Sequence, residues 1–258
     1  MPRTTTYILL GLSLCIAGGG AFYFIGKTNY SQPSTKEQAW ALPHPTPNEH
    51  DYKDILAQLE AERLRLASRY QQASSADQRA ALITEARALV TKSIYANLFP
   101  KWYGTAWDFN GTTQLPNQGK IACGYFVSTV LRDAGWRVER VRLAQQASEN
   151  IILSLTGAPH IKRFRRVAIG DFIKSVKEWG PGIYVVGLDI HVGFIVNSGS
   201  EVFFVHSSYM EPYTVVQETA SESKILMASQ YRVLGKIVAD DLLIEKWLLG
   251  TAIATRTG

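Results

Sequence analysis

The sequence predicts an α+β protein: a core with an antiparallel sheet and a helix that begins at a cysteine, preceded by a helical hairpin and one N-terminal transmembrane helix. Three observations lead to this architecture. Apolar residues recur at helical spacing in the first half of the polar chain, then several short strand-like runs follow one another. The body of the protein holds one cysteine, Cys123, placed straight after a loop and at the head of a helical pattern. The chain opens on an uncharged run of about the length that crosses a bilayer as a helix.

That run, Tyr7 to Gly26, follows Arg3 and precedes Lys27. It reads as an uncleaved anchor over residues 1–27, with the rest of the chain outside the cytoplasm. A cleavable signal peptide is the rival, against which stand the length of the run and the lack of a small-x-small site. A lipoprotein start at Cys15 is opposed by Leu14, where a small residue is expected. Residues 28–50 are rich in Pro, Ser, Thr and Asn, with Pro43, Pro45 and Pro47 at alternate positions, and read as an extended linker.

Asp51 to Gln72 carries Ile55, Leu59, Leu66 and Tyr70 near helical spacing; Ser74, Ser75 and Asp77 then signal a break and a new helix start. A second helix from about Gln78 to Leu98 aligns Leu82, Ala86, Leu89 and Ile94, so residues 51–100 form a helical hairpin ended by Pro100. The 101–258 domain begins with an aromatic, Gly-bearing loop. A helix from Cys123 to Ala134 is stopped by Gly135. Then come a strand over Trp136 to Leu143, a helix near Gln145 to Leu155, and a basic cluster (Lys162, Arg163, Arg165, Arg166) read as a solvated face. A helix from Gly170-Asp171 closes at Gly180. Strands follow at Ile183–Leu188, His191–Val196 and Glu201–His206, then a helix near Glu222 to Ser229 and a strand from Tyr231 to Val238.

The 258 residues carry a formal net charge of +5, which suits an acidic partner such as anionic lipid or wall polymer. It is spread too thinly for nucleic acid, and no base-stacking or zinc-finger signature accompanies it. With two cysteines, one of them in the apolar run, neither a structural disulfide nor a cysteine-rich metal site is expected. No His-x-x-x-His or Cys-x-x-Cys element suggests zinc, and no cofactor is expected. His44, His50 and His160 read as surface residues.

The chemistry converges on Cys123. A helix N-terminus offers free N–H groups and partial positive charge, which favour thiolate and can hold an oxyanion. Gly124 keeps the surroundings of the sulfur open. If Ser198-Gly199 is a two-residue hairpin turn, Val196 faces Glu201 and His191 lies opposite His206 on one sheet face. One imidazole then serves the cysteine as base while the other orients it. Asp189, on the same strand face as His191, is the alternative orienting group.

A cysteine at a helix start after an aromatic-Gly loop, then His191-Val192-Gly193, then a polar residue on the next strand: this order resembles the NlpC-type branch of the papain-like cysteine peptidases, many of which cut peptide bonds in bacterial cell walls. The resemblance spans roughly Trp102 to Val238. It implies Cys123 as nucleophile, His191 as base and His206 as orienting residue, with Tyr103 as a hydroxyl near the oxyanion. Trp107, Asp108, Asn110 and Gln118 are candidates to line the cleft. The family's Asp-Cys-Ser-Gly is replaced here by Ala122-Cys123-Gly124-Tyr125.

The expected activity is therefore a cysteine peptidase or amidase acting on peptidoglycan stem peptides. Alternatives are a thiol acyltransferase or thioesterase on another substrate, and a non-catalytic envelope-binding module of papain-like shape.

Overall fold

A computed structural model describes residues 49–257. The apolar run and most of the linker lie outside the described residues. Within them no helix is long and apolar enough to cross a membrane. The architecture is α+β, with a six-stranded antiparallel sheet covered by helices.

Helix α1 (Glu49–Gln72) buries Tyr52, Leu59, Arg63 and Leu66. The Arg63 guanidinium is held by Glu60 and donates to the carbonyls of Trp247 and Leu248, orphan acceptors at the end of a later helix. Ser75 caps α2 (Ala76–Lys92) by accepting from the Gln78 N–H, and Gln78 answers by accepting from the Ser74 N–H. Pro100 does not end this helix. A π-helical stretch, Ser93–Leu98, in which the Phe99 N–H reaches back to Ile94, delivers the chain to α3 (Phe99–Trp102). Pro100 stands in the first turn of α3, where its missing N–H costs nothing.

Strands β1 (Ala106–Trp107) and β2 (Lys120–Ile121) form a small parallel pair ahead of α4 (Cys123–Asp133). Helix α4 ends in a Schellman motif: Gly135 at φ +102° donates to Arg132 O, and the Trp136 N–H reaches Leu131 O. The strand expected over Trp136 to Leu143 is only β3 (Arg137–Val138), paired with the C-terminal β10 (Ala252–Ile253). The chain turns instead into α5 (Arg140–Ala144), because Arg140 lies over the Tyr125 ring and donates to the carbonyls of Thr112 and Thr113. The helix expected near Gln145 to Leu155 starts later, as α6 (Ser148–Leu155).

The basic cluster is exposed, as expected, and its first three members lie on β4 (Ile161–Arg165), an edge strand paired with β9 (Tyr231–Gly235). Its charges are partnered: Arg163 with Glu149, Lys162 over Trp179, Arg165 over Tyr231. Helix α7 (Ile169–Trp179) is followed by β5 (Gly182–Leu188), β6 (Val192–Asn197), β7 (Val202–Ser207) and β8 (Val215–Thr219). After them come α8 (Lys224–Ala228), β9 and α9 (Asp241–Leu249). The sheet order is β4-β9-β5-β6-β7-β8.

Strand alternation divides the core in two. Val185, Phe194, Val196, Val205 and Val233 face α4, α6 and the helical hairpin. Tyr184, Val186, Ile195, Phe204 and Leu234 face the other way, with Phe172 and Val176 of α7 and Ile225 and Leu226 of α8. An aromatic cluster of Phe99, Phe126 and Phe194 locks α4 to the sheet, with Phe99 and Phe194 centroids 5.1 Å apart.

Candidate active site

The hairpin β6–β7 places the histidines. Asn197 pairs with Val202, and the Ser198 N–H donates to Glu201 O, so the turn centre is Gly199-Ser200 and not Ser198-Gly199. Gly199 supplies the positive φ, +96°, that its position in the turn requires. The register therefore differs by two residues from the expected one. Because side chains alternate with period two, a two-residue shift leaves every residue on its face. His191 and His206 still meet, as diagonal neighbours: His191 Nε2 lies 2.9 Å from His206 Nδ1, with the rings nearly perpendicular.

Gly193 makes room for this pair. A Cβ there would stand 2.7 Å from the Phe204 ring and 2.8 Å from His206 Cβ. His206 stacks on Phe204 at 3.9 Å, and its Nε2 lies 3.2 Å from Glu218 Oε1 on β8. Glu218 pairs across from Phe204, which sets it on the same sheet face as His206. Sequence reasoning missed Glu218. Its placement depends on the β7–β8 register across an irregular connection that carries no period-two signal.

The hydrogen bonds fix the tautomers. A carboxylate only accepts, so His206 donates through Nε2–H to Glu218 and accepts at Nδ1. His191 then donates through Nε2–H, which leaves its Nδ1 as the unprotonated nitrogen. Burial, assisted by the neighbouring His206, pushes the His191 pKa well down. Burial lowers His206 as well, opposed by Glu218. Burial pushes the Glu218 carboxyl up, but hydrogen bonds from His206 and Ser223 outweigh it and hold the carboxyl low.

Cys123 is the first residue of α4. Leu188 N donates to His191 O, so Val192, one step along, turns its N–H away from β5. The β6–β7 ladder begins only at Phe194 and Val205, so the two strands are splayed at this end. The chain just before α4 reaches this gap, where Ser207 Oγ donates to Ile121 O at 2.7 Å. The N–H groups of Val192, Gly124 and Cys123 itself favour negative charge on the sulfur, but burial is the larger influence and raises the thiol above its ordinary value. At Cys123 burial thus acts against the thiolate that the helix N-terminus favours, and at His191 burial acts against the imidazolium. No hydrogen bond joins the sulfur to the His191 ring, whose Nε2 is directed at His206.

Gly124 has a different role from the one expected. A Cβ there would meet Ala144 O at 2.3 Å, so glycine lets the end of α5 close on the first turn of α4. Tyr103 donates to Gln217 at 2.8 Å, on the sheet face opposite Glu218, and is half-buried. The tyrosine beside the histidine is Tyr209, whose ring centroid lies 5.1 Å from that of His191 and whose hydroxyl is raised by burial and by Cys123. Trp107 packs against Tyr209 at 6.4 Å. Asp108 accepts from the Asn110 N–H and pairs with Lys120. Gln118 is exposed in the turn before β2, and its carbonyl accepts from the Thr113 hydroxyl. Asp189 does not orient His191, because its carboxylate accepts from the Gln230 and Tyr231 N–H groups and from Ser229.

Among the described residues no group of three or more His, Cys, Asp or Glu side chains is placed to hold a metal. No family model matches the chain, and no curated protein or solved structure matches it.

Proposed function

We propose that this protein is a cysteine peptidase or amidase of papain-like, NlpC-type arrangement, in which Cys123 attacks an amide carbonyl. The observation that carries the reading is the tautomer-fixed chain Glu218–His206–His191, which leaves a basic nitrogen free next to the strand residue whose N–H meets the Cys123 sulfur. His191 Nδ1 takes the thiol proton as the carbon–sulfur bond forms. The N–H groups at the start of α4 receive the oxyanion. Collapse breaks the carbon–nitrogen bond, and His191 returns the proton to the leaving amine. Water, deprotonated by the same imidazole, then cleaves the thioester and restores the thiol.

Burial acts against charge on both groups, which favours a proton transfer that accompanies attack over a preformed ion pair. Peptidoglycan stem peptides are the favoured substrate, on the resemblance and on an envelope location that rests on the apolar run Tyr7 to Gly26. The test is digestion of purified peptidoglycan by the full chain, with mass spectrometry of the products. Release of stem-peptide fragments by the wild type and none by Cys123→Ala is expected. Equal release by Cys123→Ala would overturn the mechanism. A second reading, a non-catalytic envelope-binding module, is favoured by the burial that raises the thiol. Sedimentation of both proteins with peptidoglycan, with no fragment from either, would select it.

A further inference from the structure

Strand β4 is the outermost strand at one end of the sheet, two strands removed from β6 and its histidine. Its pairing with β9 is set by two flanking hydrogen bonds: the Lys236 N–H meets His160 O, and the Arg166 N–H meets Gln230 O. In an antiparallel ladder hydrogen-bonded pairs alternate with non-bonded ones. Residues 160, 162, 164 and 166 therefore bond to β9, while Ile161, Arg163 and Arg165 turn their N–H and C=O groups outward. Among the described residues no strand pairs with that outer edge. Its outward donors and acceptors are spaced as an added strand requires.

Charge decides which strand can add. Lys162, Arg163, Arg165 and Arg166 are all exposed. Side chains alternate along β4, so Arg163 and Arg165 share one face and Lys162 takes the other. Among the described residues Glu149 is the one carboxylate ion-paired with any of these cations. Lys162 and Arg165 lie over aromatic rings, which leaves their charge uncompensated. A second copy of the chain is a poor occupant, because antiparallel self-pairing centred on Arg163 sets that residue against itself. The same charges attract a strand that carries carboxylates. Between the two arginines, Phe164 turns to the Lys162 face and packs on Phe172 of α7, so an apolar neighbour suits that position.

We infer that the outer edge of β4 binds an extended acidic peptide segment of a partner protein as a seventh strand of the sheet. Carboxylates of the incoming segment lie beside Arg163 and Arg165, with an apolar residue between them beside Phe164. The inference goes beyond the proposed hydrolase and does not depend on Cys123.

The full chain, in a nonionic detergent, is titrated into a fluorescein-labelled, end-capped octapeptide of alternating Glu and Val. Anisotropy reads the affinity, and amide hydrogen exchange is read residue by residue on the same complex. Binding should slow exchange at Ile161, Arg163 and Arg165 by about tenfold or more, and change the amides already bonded to β9 less. N-methylation of the peptide residues whose N–H groups would face β4 keeps the charge and removes the donors. It should weaken binding by about tenfold or more. A Lys-Val peptide of the same design should not bind. Arg163→Glu combined with Arg165→Glu should weaken the Glu-Val peptide on the order of tenfold, with the unfolding midpoint measured alongside. The peptide arms use the wild-type chain, so they decide the matter even where that variant is unstable. Equal affinity for the N-methylated peptide overturns strand addition, and equal affinity for the Lys-Val peptide overturns recognition by charge. Absence of binding overturns the inference, as does protection of the same three amides without peptide, by the chain's own residues or by a second copy.

Discussion

Two buried hydrogen-bonded chains run through this molecule, and they look alike until their ends are compared. In one, Trp102 Nε1–H donates to the Tyr52 hydroxyl, which donates to Asp133, which is paired with Arg132. In the other, His191 meets His206 and His206 meets Glu218. Both end on a carboxylate. The first begins at an indole N–H, which can only donate, and closes on a buried carboxylate neutralised by a guanidinium. No proton can move along it, and it ties α1 and α3 to the end of α4. The second is built of imidazoles, each both donor and acceptor, and its carboxylate is one-third exposed. It starts one residue from Val192, whose N–H meets the Cys123 sulfur, and ends at solvent. Burial and hydrogen bonding alone do not distinguish a site from a structural tie. The titratable character of the links and the openness of the ends do.

The comparison is most sharply tested at the base. On the proposed mechanism His191→Ala should lower turnover by about 10³-fold or more, because it would remove the group that accepts and returns the proton. Unfolding midpoints measured alongside separate this from loss of fold. Turnover within tenfold of the wild type would remove His191 from the mechanism. Glu218→Gln tests the far end. A glutamine can still accept from His206 through its oxygen, but it can also present its amide and reverse the tautomers. A loss on the order of 10²-fold is expected, smaller than that of the base because His206 stands between. Nitrogen NMR of the imidazoles should show a mixture of His191 tautomers in the variant and one in the wild type. An unchanged spectrum with unchanged rate would reduce Glu218 to packing.

Why Glu218 was not legible while Cys123, His191 and His206 were has a physical answer. The glycine at the end of α4 and the loop before it bracket Cys123 by local signals, and period-two alternation holds the histidines on one face even when the turn shifts by a residue. Glu218 joins them only through strand pairing across residues 208–214, and nothing local specifies that register. Similar reasons apply to β4, whose partner β9 is remote in sequence and whose exposed charges give no strand signal. The two-residue β3 is cut short by Arg140 and by the approach of Ala144 to Gly124, both tertiary contacts. Helix α9 is a different matter: Asp240 at its N-cap and Gly250 at φ +61° past its end are signals present in the chain.

Tyr52→Phe breaks the structural chain. It leaves the Trp102 indole without its acceptor and Asp133 without one donor, both buried. The expected cost is about 2–3 kcal/mol in a denaturant titration. The rate of Cys123 alkylation by iodoacetamide should stay within twofold of the wild type. A large change in that rate with unchanged stability would mean that the two chains are coupled through α4.

The smallest effect expected is on the pH dependence of stability, where the chains act with opposite sign. His191 and His206 both titrate below the ordinary 6.5, so the unfolded chain binds protons that the folded one refuses. Their contribution is complete above pH 6.5 and is lost as the pH falls toward their folded values. Burial raises Asp133 above the ordinary 3.8, against the pull of Arg132 and Tyr52, so its folded form holds a proton longer. Acidification relieves that penalty, but in the carboxylate range and not near neutrality. The urea midpoint should therefore stay level from pH 8 to about pH 7 and fall from there toward pH 5, and His206→Gln should reduce the slope of that fall by removing one of the two depressed imidazoles. A midpoint that is level or rising over that interval would mean that the paired histidines are already charged in the folded protein. The neutral resting state on which the proton transfer to His191 depends would then be wrong.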